Sequence, residues 1–541
     1  MTKPTDAFST PVTLAKSTAG VVVAALDMGS NSFHLVVVRG HGPTQFDILL
    51  KEKVMMRLGD EVARTGRISD ESKVRIKETV ATMANLARGS GASEMVALAT
   101  AAFRDAKNSG SIVDELEESL GIKVSVISGK REAELIWRAI SHAVDFEGQT
   151  VLGADLGGGS LEITVGSQDK LLFSESFNVG VGRLTTEFKN IKLASGIHIR
   201  EVNLHLEKIL GSAFREIVQV HKPTKLILSS GSFLNIARIT LLRNAKTLRG
   251  DRSLNQAAIQ IDEIRAVIGE LTTRDVRERS KIPGIDEKRV DLLPAAALVA
   301  QFILNKLEPS TIVTSDWALR EGIILRELST RNETEFSENS ASVKLASVLG
   351  VANRYGWNEG HSRHVAALAV SIFDQTTNLH QLGDLDRELL YLSALVHDIG
   401  EYISVEGHDR HGAYLLENSR LAGFDKEMKN KFVSIVRYHR RGNPKSDFVP
   451  FADLSKENAS TVIKLAAILR LADALDRSHT RLVEHVEVVI KDMMLLLLVS
   501  SSHQVELEEY GLRRKRQLFE ETFSKEVHLV QIPNANGTLH A

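Results

Sequence analysis

The stretch Val151-Leu152-Gly153-Ala154-Asp155-Leu156-Gly157-Gly158-Gly159-Ser160-Leu161-Glu162-Ile163-Thr164-Val165 decides how the rest of the chain is read. An apolar strand ends on Asp155, three glycines and a serine form a loop, and a second strand follows. That second strand sets Leu161, Ile163 and Val165 on one face and Glu162 and Thr164 on the other. Glycines carry no side chain, so backbone N–H groups can close around an anion such as phosphate. Asp155 and Glu162 flank the loop as hard oxygen ligands of the kind Mg²⁺ takes. A plain tight hairpin turn uses the same residues. The stretch alone leaves both readings open.

A second stretch repeats the layout. Val21 to Leu26 reads as a buried strand, Asp27-Met28-Gly29-Ser30-Asn31-Ser32 as an acid and a loop, and Phe33 to Val38 as another strand. The glycine loops of nucleotide-binding P-loop and dinucleotide folds open into a helix, whereas both of these open into a strand. Two phosphate hairpins, one per half, point to two related lobes facing a shared cleft. The phosphate-binding candidates are Gly29, Ser30, Asn31 and Ser32 in the first loop and Gly157, Gly158, Gly159 and Ser160 in the second. Asp27 is open between a ligand to metal-bound water and a brace for its loop.

Between the loops the pattern alternates helix and strand with short connections, as an α/β fold does. Arg104 follows the strand Glu94 to Ala99, where it can clamp phosphate through two donors or lie solvated on the surface. Glu132 lies in the first turn of a helix spanning Lys130 to Val144, a place that suits the helix dipole as well as catalysis. Further on, Ser229-Ser230-Gly231-Ser232 precedes a helical segment. Gly231 and Ser232 there make either an anion nest or an ordinary helix cap.

The totals bound the classes. The chain has 541 residues, net charge −2, 43% hydrophobic and 25% charged residues, and no cysteine. That length suggests about three or four domains, and the composition is that of a globular protein able to bury large cores. Disulfides, thiolate zinc sites and cysteine nucleophiles are excluded. The balanced charge gives no sign of nucleic-acid binding, so a polyanion would need a local basic channel. The longest purely apolar run, Met493 to Val499, is too short to span a bilayer. The first residues lack an apolar signal core, and a cytoplasmic location is expected.

A linker is expected in Arg326 to Asn339, which is charged, polar and aperiodic. Beyond it the pattern is nearly all helical and carries a histidine/aspartate series: His361, His397-Asp398, His408, His439 and Asp473. His and Asp together suit a divalent metal. His411 competes with His408 for its place, and His364 with His361. The end of the chain, Glu484 to Ala541, reads as alternating strand residues followed by a charged helix, Gln504 to Phe523.

Several motifs carry a family resemblance. Asp27-Met-Gly-Ser-Asn-Ser-Phe, Ser128-Gly129-x-x-Glu132-Ala133-Glu-Leu-Ile and Asp155-Leu-Gly-Gly-Gly-Ser-Leu-Glu162 resemble the exopolyphosphatase/guanosine-pentaphosphate phosphohydrolase family. Asn178-Val-Gly180-Val-Gly-Arg183, Ser229-Ser-Gly231-Ser232 and Ser315-Asp316-Trp-Ala-Leu-Arg320-Glu321-Gly322 continue the match in order. The resemblance implies two lobes of the actin/sugar-kinase/Hsp70 fold, with Glu132 as general base. It implies Mg²⁺ held by Asp155 and Glu162, and phosphates gripped by the two loops and Arg104. Two places depart from the family: Arg131 stands where a second acid is common beside the base, and Pro294-Ala295-Ala296 replaces a glycine. The histidine series resembles the HD phosphohydrolase superfamily, implying a helical HD-type domain and a second divalent-metal set of His361, His397, Asp398, His408, His439 and Asp473.

The expected domains are a disordered tail at 1–19, lobe I at 20–148, lobe II at 149–330, an all-α HD-type domain at 340–480 and a small α/β cap at 481–541. The expected activity is Mg²⁺-dependent release of terminal orthophosphate from inorganic polyphosphate. The same chemistry on guanosine pentaphosphate, giving the tetraphosphate, shares every motif. A nucleotide-sensing, phosphate-binding regulator is disfavoured by the joint presence of Glu132, Asp155 and Glu162. A sugar or acetate kinase is disfavoured by the hairpin loops. In its long members the resembled family implies a homodimer.

Overall fold

The computed structural model of the chain describes residues 20–41, 46–188, 196–243, 254–332, 340–444 and 447–532. The tail expected at 1–19 lies outside the described residues. The chain divides into two compact units, Met1–Val343 and Lys344–Ala541.

The first unit is built on two sheets with one plan. Strands β1 (Val22–Met28), β2 (Ser32–Gly40), β3 (Phe46–Met55), β4 (Glu94–Ala99) and β5 (Val124–Val126) form the order β3-β2-β1-β4-β5. Strands β6 (Val151–Leu156), β7 (Leu161–Ser167), β8 (Lys170–Phe177), β9 (Lys225–Ser229), β10 (Ala258–Ile259) and β11 (Thr311–Thr314) form the order β10-β11-β9-β6-β7-β8. In each sheet an antiparallel meander (β1–β3, β6–β8) is extended by parallel strands reached through helices. The short edge strand β10 is the one addition in the second sheet. This duplicated mixed sheet is the two-lobed actin-like α/β fold.

The lobes meet through helices. Val23, Ala25, Val36 and Val38 of the first sheet and Ile227 and Val313 of the second share one buried cluster. Into it pack Leu135, Trp137 and Ile140 of the helix Gly129–Ala143 and Ile323, Ile324 and Leu328 of the helix Leu319–Asn332. Where these helices touch, a Cβ on Gly322 would overlap the carbonyl of Leu135. Only glycine permits that approach, and it brings Arg320 and Glu321 near the first turn that carries Glu132. The linker expected over Arg326 to Asn339 is helix as far as Asn332, and the rest of that stretch up to residue 339 lies outside the described residues. The buried apolar side of the helix, Ile323, Ile324, Leu325 and Leu328, extends it past the charged residues that look like a loop.

The second unit places helices Ser340–Arg354, Glu359–Gln375, Asp384–Leu395, His408–Glu417 and Lys426–Tyr438 around the helix Lys456–Ala474. That central helix is buried on nearly every side, including Leu465, Ile468, Leu469 and Ala472. Ser455 caps it by accepting from the amide of Asn458, a contact worth about 1 kcal/mol. A three-stranded sheet, β12 (His485–Lys491), β13 (Met494–Ser500) and β14 (Glu526–Ile532), adds Val486, Leu495, Leu497 and Val527 to the same core. The helix expected over Gln504 to Phe523 is two, Glu506–Lys515 and Gln517–Phe523. The chain then turns at Ser524, in the left-handed region at φ 53°, into β14, which pairs parallel with β13. Among the described residues no helix is long and apolar enough to cross a membrane.

Candidate active site and a second histidine/aspartate cluster

The two hairpin loops face each other. A Cβ on Gly158 would lie 3.1 Å from Asn31 Cβ, and one on Gly159 would lie 2.7 Å from Ser30 Oγ. The second loop is supported from behind. Its carbonyls at Gly157 and Gly158 accept from the amides of Val181 and Gly182 at 3.0 and 2.9 Å, and Arg183 Nε donates to Gly159 O at 3.2 Å. Arg183 also pairs with Asp105, tying the loop to the other lobe. Gly180 is required here, since a Cβ would overlap the peptide of Gly158.

Carboxylates line the cleft between the loops. Asp27 and Asp155 each lie at or near the end of the first strand of a sheet, just before a loop, and Glu162 is the cross-strand partner of Asp155. Ser229 Oγ donates to Asp155 at 2.6 Å, and Ser176 Oγ donates to Glu162 at 2.7 Å. Glu132 is buried in the first turn of its helix, whose N-cap Ser128 accepts from the amide of Arg131. Arg104 Nη1 reaches it at 2.6 Å and donates also to Ile127 O at 3.2 Å. Arg104 therefore bears directly on Glu132. Arg131 points elsewhere and pairs with Glu134 at 2.9 Å.

These acids raise one another's proton affinity. Loss of surrounding water pushes Asp27 up to about 7, with Arg320 pulling down and Glu132, Asp155 and Glu321 pushing further up. Burial carries Asp155 to about 6 against the Ser229 hydrogen bond. Burial, then the charges of Glu132 and Asp155, holds Glu162 well above the usual range. Burial also raises Glu132, and Arg104 opposes it. An oxygen-only set of crowded carboxylates fits a hard divalent cation, which would relieve that repulsion. Among the described residues, the sets of three or more donors converging within 4.8 Å lie in the second unit. The cleft acids are spaced more widely, which suits an ion that keeps part of its water shell.

A row of cations, not legible as local motifs, extends outward from Asp27. His34 pairs across strands with Asp27, and Lys53 pairs with His34, so the three lie on one face. Arg320 Nη1 donates to His34 Nδ1 at 3.3 Å, so His34 Nε2 carries the proton it donates to Ser32 Oγ at 2.7 Å. Burial and then Arg320, Lys53, Arg289 and Lys51 push His34 down to about 2, so the imidazole is neutral. Partial loss of water, followed by Arg289, lowers Lys53 to about 8. Arg289 lies against Gly231, where a Cβ would collide with its guanidinium, and donates to Ser232 Oγ at 3.3 Å. Gly231 and Ser232 open the helix Gly231–Arg243, and Ser230 before them sits in the left-handed region at φ 82°. Strain of that kind persists where surrounding contacts over-determine it, often at functional sites.

In the second unit the six expected residues converge. Asp398 Oδ2 lies 3.5 Å from His361 Nε2 and 3.3 Å from His397 Nε2, and its Oδ1 lies 3.2 Å from His408 Nε2 and 3.3 Å from His439 Nε2. His397 Nε2 is 3.9 Å from Asp473. His408 and His361 join the set; His411 and His364 do not. Three partners join them: Asp476, which closes the sequence motif Ala472-Asp473-Ala-Leu-Asp476, and His479 and Lys515, which the sequence does not point to. Asp476 accepts from His361 Nδ1 at 2.8 Å, His479 stacks on His361 at 3.8 Å, and Lys515 pairs with Asp473. Burial opposes charge on His361, yet Asp398 and Asp476 raise it to about 9.

Comparison with known proteins gives the family. A family model described as the Ppx/GppA phosphatase family matches residues 36–331, and one described as Ppx/GppA phosphatase, domain III, matches residues 343–521. Exopolyphosphatase 1 of Mycobacterium leprae is 29% identical over 311 residues, 57% of this chain and 90% of that protein. Guanosine-5'-triphosphate,3'-diphosphate pyrophosphatase of Pseudoalteromonas translucida is 24% identical over 480 residues, 88% of this chain and 91% of that protein. The crystal structure of an exopolyphosphatase from Cytophaga hutchinsonii superposes with a TM-score of 0.53 at 26% identity, covering 57% of this chain and 98% of that one. With both of its units matched, the chain belongs to the Ppx/GppA phosphatase family.

Proposed function

We propose that the chain is an exopolyphosphatase that removes terminal orthophosphate from inorganic polyphosphate with Mg²⁺. One observation carries the substrate: the cations Arg320, Arg289, Lys53 and Lys51 continue outward from the catalytic acids. A polymer of phosphates presents successive charges to such a row, whereas a single terminal phosphate would use only its inner end.

Asp155 and Glu162, with Asp27 acting through water, are the residues that would hold Mg²⁺. When bound, that ion neutralises charge on the terminal phosphoryl group. The facing loops, Gly29 to Ser32 and Gly157 to Ser160, cradle that group, and Gly231 and Ser232 offer a helix N-terminus for a further phosphate. Glu132 takes a proton from the attacking water, and its raised proton affinity makes it the stronger base. Arg104 fixes its direction. As the water oxygen bonds to phosphorus, the bridging P–O bond breaks, and the shortened chain leaves with that electron pair.

A second reading is hydrolysis of guanosine pentaphosphate. It is favoured by one observation: the Pseudoalteromonas relative aligns across both units, over 88% of this chain. The second-unit set of His361, His397, Asp398, His408, His439 and Asp473 is proposed to bind a divalent metal. A homodimer in the cytoplasm completes the proposal. Orthophosphate release from long-chain polyphosphate, guanosine pentaphosphate and ATP, each with and without Mg²⁺, tests the substrate. Greater kcat/KM on guanosine pentaphosphate than on polyphosphate would replace the first reading with the second.

A further inference from the structure

The histidine/aspartate cluster of the second unit is not one uniform ligand set. Each oxygen of Asp398 faces two histidine Nε2 atoms: Oδ2 faces His361 and His397, and Oδ1 faces His408 and His439. A carboxylate placed this way is a bridging ligand between two cation positions. The two positions differ in what already fills them.

On the Oδ2 side, Asp473 completes the set with His361 and His397. Lys515, the last residue of the helix Glu506–Lys515, pairs with Asp473 there, and its side chain is largely buried. A divalent ion entering this position meets an ammonium fixed to one of its own ligands. Both the repulsion and the loss of the Asp473 lone pairs work against it.

On the Oδ1 side the histidines are anchored from the backbone, as His397 is through its Nδ1, 2.7 Å from Ala394 O, and the Lys515 pair is the difference between the two halves. His408 Nδ1 lies 3.0 Å from Val405 O, and His439 Nδ1 lies 2.6 Å from Val436 O. Carbonyl oxygens only accept, so both Nδ1 atoms carry protons, and each ring in its neutral form directs an Nε2 lone pair inward. Those two Nε2 atoms are 3.2 Å apart, with Asp398 Oδ1 at 3.2 and 3.3 Å. Three electron-pair donors aimed at one point are placed to hold a cation between them. Backbone carbonyls that fix the far nitrogen of each ring are the usual outer support of metal-bound histidine.

We propose that the cluster is a two-position centre in which Lys515 stands in for one metal ion, leaving Asp398, His408 and His439 to hold a single first-row transition-metal ion. The imidazole and carboxylate donors select an ion such as Mn²⁺, Fe²⁺, Co²⁺ or Zn²⁺ over Mg²⁺. The proposal rests on reading the cluster as a metal set, and it adds which half is loaded and why.

Co²⁺ bound to the chelator-stripped full chain, measured by equilibrium dialysis and elemental analysis, tests it. Excess Mg²⁺ in the buffer occupies the oxygen-only carboxylates of the first unit. One Co²⁺ per chain is expected in the wild type, none in His408→Ala or His439→Ala, and two in Lys515→Ala. Lys515→Met keeps the apolar stem and serves if the alanine variant does not fold, as read by circular dichroism. No Co²⁺ in the wild type would overturn the metal reading itself. Two ions in the wild type, or one in both Lys515 variants, would overturn the role of Lys515 while leaving the metal reading intact. Retention in both His408→Ala and His439→Ala would overturn the assignment to this half.

Discussion

Arg104 Nη1 lies 2.6 Å from the Glu132 carboxylate, and the two side chains are nearly enclosed. Of the residues lining the cleft, this pair ties the short helix Ala101–Asp105, which follows β4, to the helix that connects the sheets. Arg104 lowers the proton affinity of Glu132 against burial. Removing Arg104 therefore raises it and frees the base to turn. For Arg104→Ala we expect kcat to fall about 10²-fold, the scale of a misplaced catalytic group, and the acid limb of the pH–rate profile to move to higher pH. An unshifted limb would show that the arginine acts only on substrate.

Lys53 supplies a pH dependence of another kind. Its ammonium, held down to about 8, loses charge above that pH and with it an attraction for phosphate. KM for polyphosphate should rise by roughly tenfold as pH passes 8, the scale of one charge-assisted contact, with kcat little changed. Lys53→Arg, which stays charged, should remove the inflection. Steady-state kinetics from pH 6.5 to about 9.5 would read both, a range that brackets Lys53 and stops short of an ordinary lysine at about 10.4.

Gly180→Ala should act through the loop it supports. Its Cβ would press on the Gly158 peptide, and overpacking of that kind costs about 1–3 kcal/mol. Displacing the loop should lower kcat while far-UV circular dichroism stays native. Thermal melting should show a matching drop. Wild-type kcat in this variant would mean the loop does not grip the transferred phosphate.

Arg289→Ala removes the guanidinium from the Gly231–Ser232 turn. Lying in the outer row, it should raise KM for long chains more than for tripolyphosphate. Equal effects on both substrates would place it at the terminal phosphate instead.

The hairpin loops, their acids and the helical second unit were legible because their signals are local. Asp27 and Asp155 each end a strand immediately before a glycine loop, and the pattern repeats. The cation row was not, since His34 and Lys53 become neighbours only through the β2–β3 register, and Arg289 and Arg320 arrive from distant segments. Lys515 reaches Asp473 across 42 positions of sequence, from a helix whose composition looks solvated. The helix through Arg326 and the strand Glu526–Ile532 were missed for a related reason. Burial by the rest of the unit overrides local polarity in the first, and parallel pairing with β13 creates the second.

The central claim is that Glu132 drives hydrolysis of a polyphosphate terminus in this cleft. Its most direct measurement is Mg²⁺-dependent orthophosphate release from long-chain polyphosphate by the wild type and by Glu132→Gln. The account predicts release by the wild type and a loss of roughly 10²–10⁴-fold in kcat for the variant, the scale of general-base catalysis, with circular dichroism unchanged. Full activity in Glu132→Gln, or no release by the wild type, would contradict it.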